Sequence, residues 1–262
     1  MNLLELKNAR LRRADQELFS QLNLVIPGNA NTAILGPNGS GKSSLLKLIN
    51  RELYIQPHSR SYCRLFGQEN WNVSRLRRQM RVVSHDMQAR LFGDSTGVMA
   101  VLSGIYDSLT TWAHQEYSAD DLLLARRWMS YFGVLEMEQR PVAAMSTGQQ
   151  RRILLARAMV TEPAYLILDE PTSALDVAAR SLLLELLSQL MQKGHYTLMV
   201  THQVEELLPQ LDYLVLLREG QVMDAGPPDQ MLTGPILSQL FSLPLEVFRD
   251  EQGWHCRPRG TS

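Results

Sequence analysis

The feature that most constrains the fold of this chain is a glycine-rich run between an apolar segment and a helical one. The run begins at Gly36, ends at Ser43 and matches the pattern G-x-x-x-x-G-K-[ST]. Residues 32–35 before it predict a short buried strand, and residues from about 42 to 51 after it have helical spacing. Glycines let the backbone curl so that successive N–H groups point into one concavity, which suits a polyphosphate. The run therefore predicts a strand, a phosphate-binding loop and a helix N-terminus in succession.

The residue types in this loop each have a chemical reason. Lys42 is placed to reach the β- and γ-phosphates of a nucleoside triphosphate, and the Ser43 hydroxyl is placed to ligate Mg²⁺. A chance match to this pattern is expected in roughly one chain in a hundred of this length. A chance match that also lies between a strand and a helix is rarer still. The residues predicted to bind ATP are Gly36, Pro37, Asn38, Gly39, Ser40, Gly41, Lys42, Ser43 and Ser44.

The bulk properties favour a soluble globular protein. The 262 residues carry a formal net charge of −1, which gives no support for a nucleic-acid partner. The two cysteines, Cys63 and Cys256, form neither a disulfide framework nor a metal-binding pattern, so a reducing cytoplasm is expected. No apolar run approaches the ~20 residues that span a bilayer, so any membrane role is expected to depend on a partner.

Hydrophobic periodicity predicts the order of the elements. Alternating residues up to the turn at Pro27 predict antiparallel strands, and strands and helices then alternate in the way that predicts a parallel sheet covered on both faces. Helical spacing dominates from about 90 to 160 and predicts a helical insert. We therefore expect one nucleotide-binding domain over 1–235 and a C-terminal tail over 236–262, frayed from residue 253.

A second predicted strand, 165–168, ends in two carboxylates, Asp169 and Glu170. Carboxylates at the carboxyl end of a buried strand, beside a phosphate loop, are in the right place to hold the magnesium ion that accompanies the phosphates. Asp169 is expected to hold the metal through water. Glu170 is expected to face the γ-phosphate and to polarise the attacking water as a general base.

Three further segments make the family recognisable. Residues 145–149, Met-Ser-Thr-Gly-Gln, resemble the LSGGQ signature of ATP-binding-cassette (ABC) ATPases, residues 173–176 resemble the D-loop of that family, and His202 resembles its switch histidine. The motifs occur in the family's order, and the resemblance covers roughly residues 1 to 230. The resemblance implies an α/β fold of the P-loop NTPase (RecA-like) type, with a mainly parallel sheet, an N-terminal antiparallel β-subdomain and an inserted helical subdomain.

The resemblance also implies a mechanism. Two such domains pair head to tail, most simply as a homodimer, and enclose two ATP molecules that each need Mg²⁺. Glu170, His202 and Lys42 are then the catalytic residues. The residues implied to contact the ATP of the other subunit are Ser146, Thr147, Gly148, Gln149 and Asp176.

The chain departs from the family pattern at three positions. Arg13 stands near the place of the aromatic residue that usually stacks on adenine, and either stacks in its place or faces solvent. His85 stands where the Q-loop glutamine is expected to ligate magnesium, and either it hydrogen-bonds a metal-bound water or the loop has lost its usual coupling role. The metal ligands predicted are Ser43, Asp169 and His85. Thr147 replaces a glycine of the signature.

Residues 101–109, the altered Q-loop and residues 145–149 with Arg151 and Arg152 together make the chain similar to the molybdenum-transport and photorepair ATPase group. The leading hypothesis is the ATPase subunit of an ABC transporter, bound to a permease at the cytoplasmic face of the membrane. Two alternatives stay open: a soluble ABC ATPase with a non-membrane partner, and a regulatory module that closes on ATP without hydrolysing it.

Overall fold

The structure, a computed structural model, describes residues 1–13, 16–58, 60–84, 87, 95–108, 116–251 and 253–260, and at residues 13 and 16 only the backbone. The chain divides into two compact units. The first comprises residues 1–75 and 196–262, and the second comprises residues 76–195. Among the described residues, none of the helices combines the length and the apolar character needed to cross a membrane.

An antiparallel sheet at the N-terminus of the first unit confirms the predicted β-subdomain. Its strand order is β2–β1–β4, and Leu6 of the middle strand lies opposite Leu24 and Cys63. Residues on one face of β1, such as Leu4 and Leu6, are buried, because alternate side chains of a strand point to the same face. The strands are β1 (Asn2–Arg13), β2 (Gln16–Pro27) and β4 (Tyr62–Leu65).

The second sheet of this unit carries the glycine-rich loop. Strand β3 lies between β7 and β8 and is parallel to both, while β9 pairs with β8 in the antiparallel direction. All four residues of β3 are buried, as expected for a parallel strand covered on both faces. The predicted, mainly parallel sheet is thus confirmed. The strands are β3 (Thr32–Leu35), β7 (Tyr196–Thr201), β8 (Tyr213–Arg218) and β9 (Gln221–Gly226).

The last strand that the structure describes is folded, and the expectation of a frayed segment from residue 253 is wrong for residues 253–258. Strands β10 (Leu245–Asp250) and β11 (Gly253–Pro258) form an antiparallel hairpin. Apolar residues on the hairpin, including Trp254, pack against the buried core of the first unit, which supplies the stability that the local pattern does not reveal. The helices of this unit are α1 (Lys42–Ile49), α7 (Pro228–Met231) and α8 (Gly234–Phe241).

The second unit combines two parallel strands with helices. Strands β5 and β6 pair with Met80 opposite Tyr165 and Val83 opposite Leu168. The predicted helical character of the region from 90 to 160 is confirmed in its described parts. The elements are α2 (Val73–Gln79, which spans the boundary between the units), β5 (Met80–Val83), α3 (Gly97–Leu102), α4 (Ala119–Tyr131), α5 (Thr147–Met159), β6 (Tyr165–Asp169) and α6 (Val177–Gln192).

Candidate functional site

The glycine-rich loop lies between the end of β3 and the start of α1, as predicted. Gly39 and Gly41 have φ angles of 79° and 102°, which side chains other than glycine rarely adopt. Gly41 is also the N-cap of α1, and because it has no side chain the helix N-terminus has no side-chain cap. This backbone can bind a polyphosphate.

Lys42 is 5% exposed and belongs to the loop as well as to the helix. Its Nζ atom donates hydrogen bonds to the carbonyl oxygens of Gly36 at 2.8 Å and Pro37 at 2.9 Å. The ammonium group is therefore held across the mouth of the loop by backbone acceptors. A phosphate that enters the loop meets a cation already in place.

The loop packs closely against neighbouring strands of the first unit. A Cβ atom on Gly36 would lie 2.1 Å from the carbonyl oxygen of Leu217, and one on Gly41 would lie 2.8 Å from the Phe19 ring. Gly220, in the turn between β8 and β9, donates its N–H to the carbonyl oxygen of Ser40 at 2.9 Å. The shape of the loop is thus fixed from outside as well as by its own glycines.

The switch histidine segment lies beside the loop in the same unit. Strands β3 and β7 are parallel neighbours, with Leu35 opposite Thr201, and Gly36 donates its N–H to the carbonyl oxygen of Thr201 at 3.4 Å. His202 follows directly and is half-buried. The first unit therefore brings together the phosphate loop and the predicted switch histidine at the carboxyl ends of adjacent strands.

Glu206 is a buried acid close to this histidine that the sequence does not single out. It is 2% exposed, and its carboxylate accepts a short hydrogen bond from the hydroxyl of Thr201. The only local sign of this buried carboxylate is that an acidic residue stands among apolar ones. A buried Glu nearly always has a partner. Glu206 ends the single 3-10 turn Val204–Glu206.

In the second unit, Asp169 ends strand β6 and Glu170 follows it, and both carboxylates are half-buried. Glu170 has a φ angle of 46°, which is unusual for this residue and turns the chain sharply at the strand end. Such deviations concentrate at functional sites.

The buried guanidinium of Arg151, on α5, has no hydrogen-bond partner within the part of the chain that the structure describes. Burial lowers the pKa of Arg151, and the negative charge of Asp169 opposes that shift. The two residues therefore interact electrostatically within the second unit.

The signature residues occupy a helix N-terminus. Ser146 is the N-cap of α5, and its hydroxyl accepts the N–H of Gln149 at 3.3 Å, while the Gln149 side chain accepts the N–H of Ser146 at 2.9 Å. This capping box leaves the other N–H groups of the first turn free. Ser146 and Thr147 are exposed, so the helix end can meet an anion outside this chain.

The D-loop residue Asp176 caps the neighbouring helix. Its carboxylate accepts the N–H of Ala179 at 2.8 Å at the start of α6. A Cβ atom on Gly148 would lie 3.0 Å from the Cβ atom of Ala179. The second unit thus places the signature helix and the D-loop helix side by side at their N-termini.

The donor set is compatible with magnesium. No cluster of three or more His, Cys, Asp or Glu side chains occurs in the described ranges. Magnesium does not require one, because it keeps several waters and uses one or two carboxylates or hydroxyls together with substrate phosphates. Ser43, which is exposed at the start of α1, and Asp169 are oxygen donors of this kind.

Two predicted site residues are not tested by the geometry. His85 lies outside the described residues, and so does the side chain of Arg13.

A scan against protein families matches residues 19–173 to the ABC transporter family. The chain belongs to this family. The family's activity, ATP binding and hydrolysis, is therefore the activity of this chain, and the predicted P-loop fold is confirmed. The match covers the phosphate loop, the signature and the carboxylate pair, and it favours the transport hypothesis over the two alternatives.

Full-length relatives agree with this assignment. The ABC transporter ATP-binding protein YmeB of Lactococcus lactis is 32% identical over 98% of this chain and 99% of its own length. The ferric enterobactin transport ATP-binding protein FepC of Escherichia coli is 30% identical over 87% of this chain and 83% of its own. Among solved structures, cbiO1 from Clostridium perfringens, described as part of the ABC transporter complex cbiONQ, superposes with a TM-score of 0.76 at 22% identity over 91% of this chain and 93% of its own.

Proposed function

We propose that the chain binds Mg-ATP on the loop 36–44 and hydrolyses it as one half of a head-to-tail dimer that drives a membrane permease. The observation that carries this proposal is the loop itself, where the buried Lys42 ammonium is held in place by the backbone carbonyls of Gly36 and Pro37. That arrangement suits the β- and γ-phosphates of ATP.

The residues of the two units take separate roles in this mechanism. Lys42 binds the β- and γ-phosphates, and Ser43 and Asp169 hold magnesium. When bound, the metal would neutralise charge on the phosphate oxygens. Glu170 accepts a proton from the attacking water, and His202 hydrogen-bonds the γ-phosphate and orients that water.

Residues 146–149 and Asp176 serve the ATP on the partner subunit. Ser146 lies at an exposed helix N-terminus, where a hydroxyl, free N–H groups and the positive end of the helix dipole face outward. Only ATP supplies a γ-phosphate for these groups, so the dimer closes on ATP and reopens after hydrolysis. That motion is the output to the permease.

Three finer assignments belong to the same proposal. His85 replaces the Q-loop glutamine and hydrogen-bonds a metal-bound water, and Arg13 stacks on the adenine. The domain spans 1–235 with a helical insert at about 90–160, followed by a C-terminal tail over 236–262. The similarity to the molybdenum-transport and photorepair group rests on sequence features, and the relatives named above do not carry those names.

We place the chain at the cytoplasmic face of the membrane, held there by the permease. Support comes from relatives named as transporter ATP-binding proteins. The test is purification of the tagged chain from solubilised membranes and from the soluble fraction of the same cells. The expected result is a multi-span protein in constant ratio to the chain in the membrane fraction. Recovery of an active ATPase from the soluble fraction alone, with no multi-span protein in the membrane fraction, would falsify the permease assignment.

A further inference from the structure

The turn that carries His202 is fixed from the inside of the first unit. The N–H of Gln203 donates to the hydroxyl of Thr201 at 3.0 Å, and the same hydroxyl bonds to buried Glu206. Val204, between them, is 1% exposed and belongs to the apolar core of the unit. These contacts fix the inner side of the turn, so its backbone can move only on the side that faces away from the core.

The outer side of the turn is covered by the C-terminal hairpin. Strand β11 runs along it, with the N–H of Cys256 donating to the Glu205 carboxylate at 3.2 Å and the Cys256 thiol 3.6 Å from the same oxygen. Farther along, a Cβ atom on Gly253 would lie 3.7 Å from the carbonyl oxygen of Leu207. Trp254, between these points, packs against the core cluster that contains Val204 and Leu207.

We propose that the hairpin β10–β11 is a positioning element for His202 and that Glu205 is the positioning residue that ties the two together. The inference rests on the proposed role of His202 at the γ-phosphate. Glu205 lies three residues after His202 in a single tight turn, so a shift of the Glu205 backbone is transmitted to the histidine. Misplacement of a water-orienting group by about 1 Å is enough to slow a reaction markedly.

The geometry also determines which kinetic constant should respond. The carboxylate of Glu205 is exposed and bonds to the hairpin, while the phosphate loop is held by β8 and by the turn at Gly220. Loss of the hydrogen bond between Glu205 and Cys256 should therefore lower kcat and leave the KM for ATP unchanged, since ATP binding depends on Lys42 and its loop.

The test compares five variants of the full chain, four single and one double. Glu205→Ala removes the acceptor of the Cys256 N–H and should lower kcat by about five- to tenfold. Glu205→Gln keeps an acceptor oxygen and should retain most of the activity. Asp229→Ala is the matched control, because Asp229 pairs with Arg249 of the hairpin at 3.1 Å but lies on α7, away from the turn. It should have wild-type kcat and KM.

His202→Ala separates the inference from the function on which it rests. Because Glu205 acts through His202, adding Glu205→Ala to His202→Ala should cause no further loss. If His202→Ala has wild-type kcat, the proposed role of His202 is refuted, and the inference about the hairpin is refuted as well. If His202→Ala is slow but Glu205→Ala matches Asp229→Ala, or if the two losses multiply in the double variant, the hairpin inference alone is overturned.

Discussion

The Nζ atom of Lys42 donates a hydrogen bond of 2.8 Å to the carbonyl oxygen of Gly36, at the start of the same loop. The residue that is expected to bind phosphate is thus already ordered by the loop that it serves. Little side-chain freedom is left to lose when ATP binds, which favours affinity. This relationship gives the first prediction.

Replacement of Lys42 by Ala should lower ATP affinity and turnover severely while the fold survives. The side chain removed is buried, but its partners are backbone carbonyls at the edge of the loop, where water can replace the ammonium group. ATP titration and far-UV circular dichroism should be measured on the same sample. Wild-type affinity in a well-folded variant would refute the assigned phosphate site.

Asp107 gives a prediction about stability in the second unit. Its carboxylate bonds to Arg81 at 2.5 Å and to Arg77 at 2.9 Å, and the Arg81 side chain is only 6% exposed. Burial lowers the pKa of nearby Arg157 to about 10, against the attraction of Asp107. Asp107→Asn leaves these cations without their carboxylate and should reduce the free energy of unfolding by about 2–3 kcal/mol.

Asparagine suits this test because Asp107 has a φ angle of 52°, which asparagine tolerates. Urea unfolding should be compared with Glu138→Ala, which breaks a surface ion pair with Arg126 in the same unit and should change stability little. Equal effects of the two substitutions would show that the arginines do not depend on Asp107.

Cys256 gives a prediction about pH. Burial, followed by the charge of Glu205, raises the pKa of its thiol to about 11 in the folded chain. The unfolded chain loses this proton at lower pH, so above that pH the folded state binds more protons and stability falls as the pH rises. The contribution is complete below about pH 9 and is lost towards pH 11. Cys256→Ala should therefore show a weaker decline in melting temperature over this window, and an unchanged decline would contradict the assignment.

The sequence predicts best what is determined locally. Helix α6 (Val177–Gln192) is of this kind, because Asp176 caps it and its apolar residues keep helical spacing. The loop 36–43 is likewise set by its glycines and by the strand and helix beside it.

The C-terminal hairpin escapes such prediction because its stability is not local. Strand β11 is held by pairing with β10 and by packing of Trp254 against a core cluster formed by residues far away in the chain, among them Val204. Buried Glu206 is missed for a different reason, since its partner Thr201 is only five residues away but becomes apparent only when the turn is folded. Pairing and burial of this kind depend on tertiary contacts rather than on periodicity.

The last prediction concerns Glu170 and tests the mechanism most directly. Glu170→Gln keeps the size and hydrogen bonding of the side chain but removes the proton acceptor, and glutamine meets the same backbone strain at a φ angle of 46°. Binding of ATP should persist while the chemical step slows by about a hundred- to ten-thousandfold. Since hydrolysis reopens the dimer, the variant should accumulate the closed form. Sedimentation velocity should show a dimer with ATP and a monomer with ADP.

The control for this dimer is a second substitution at the signature. Ser146 is a poor choice because its hydroxyl caps α5, whereas Thr147 is exposed beside it. Adding Thr147→Arg places bulk and charge at the helix end and should abolish the dimer without affecting ATP binding by the monomer. A Glu170→Gln variant that hydrolyses ATP at the wild-type rate would exclude Glu170 as the base. An inactive variant that binds ATP and stays monomeric would instead assign the other half-site to a different chain, because the phosphate loop would be intact and only the in-trans contact would be missing.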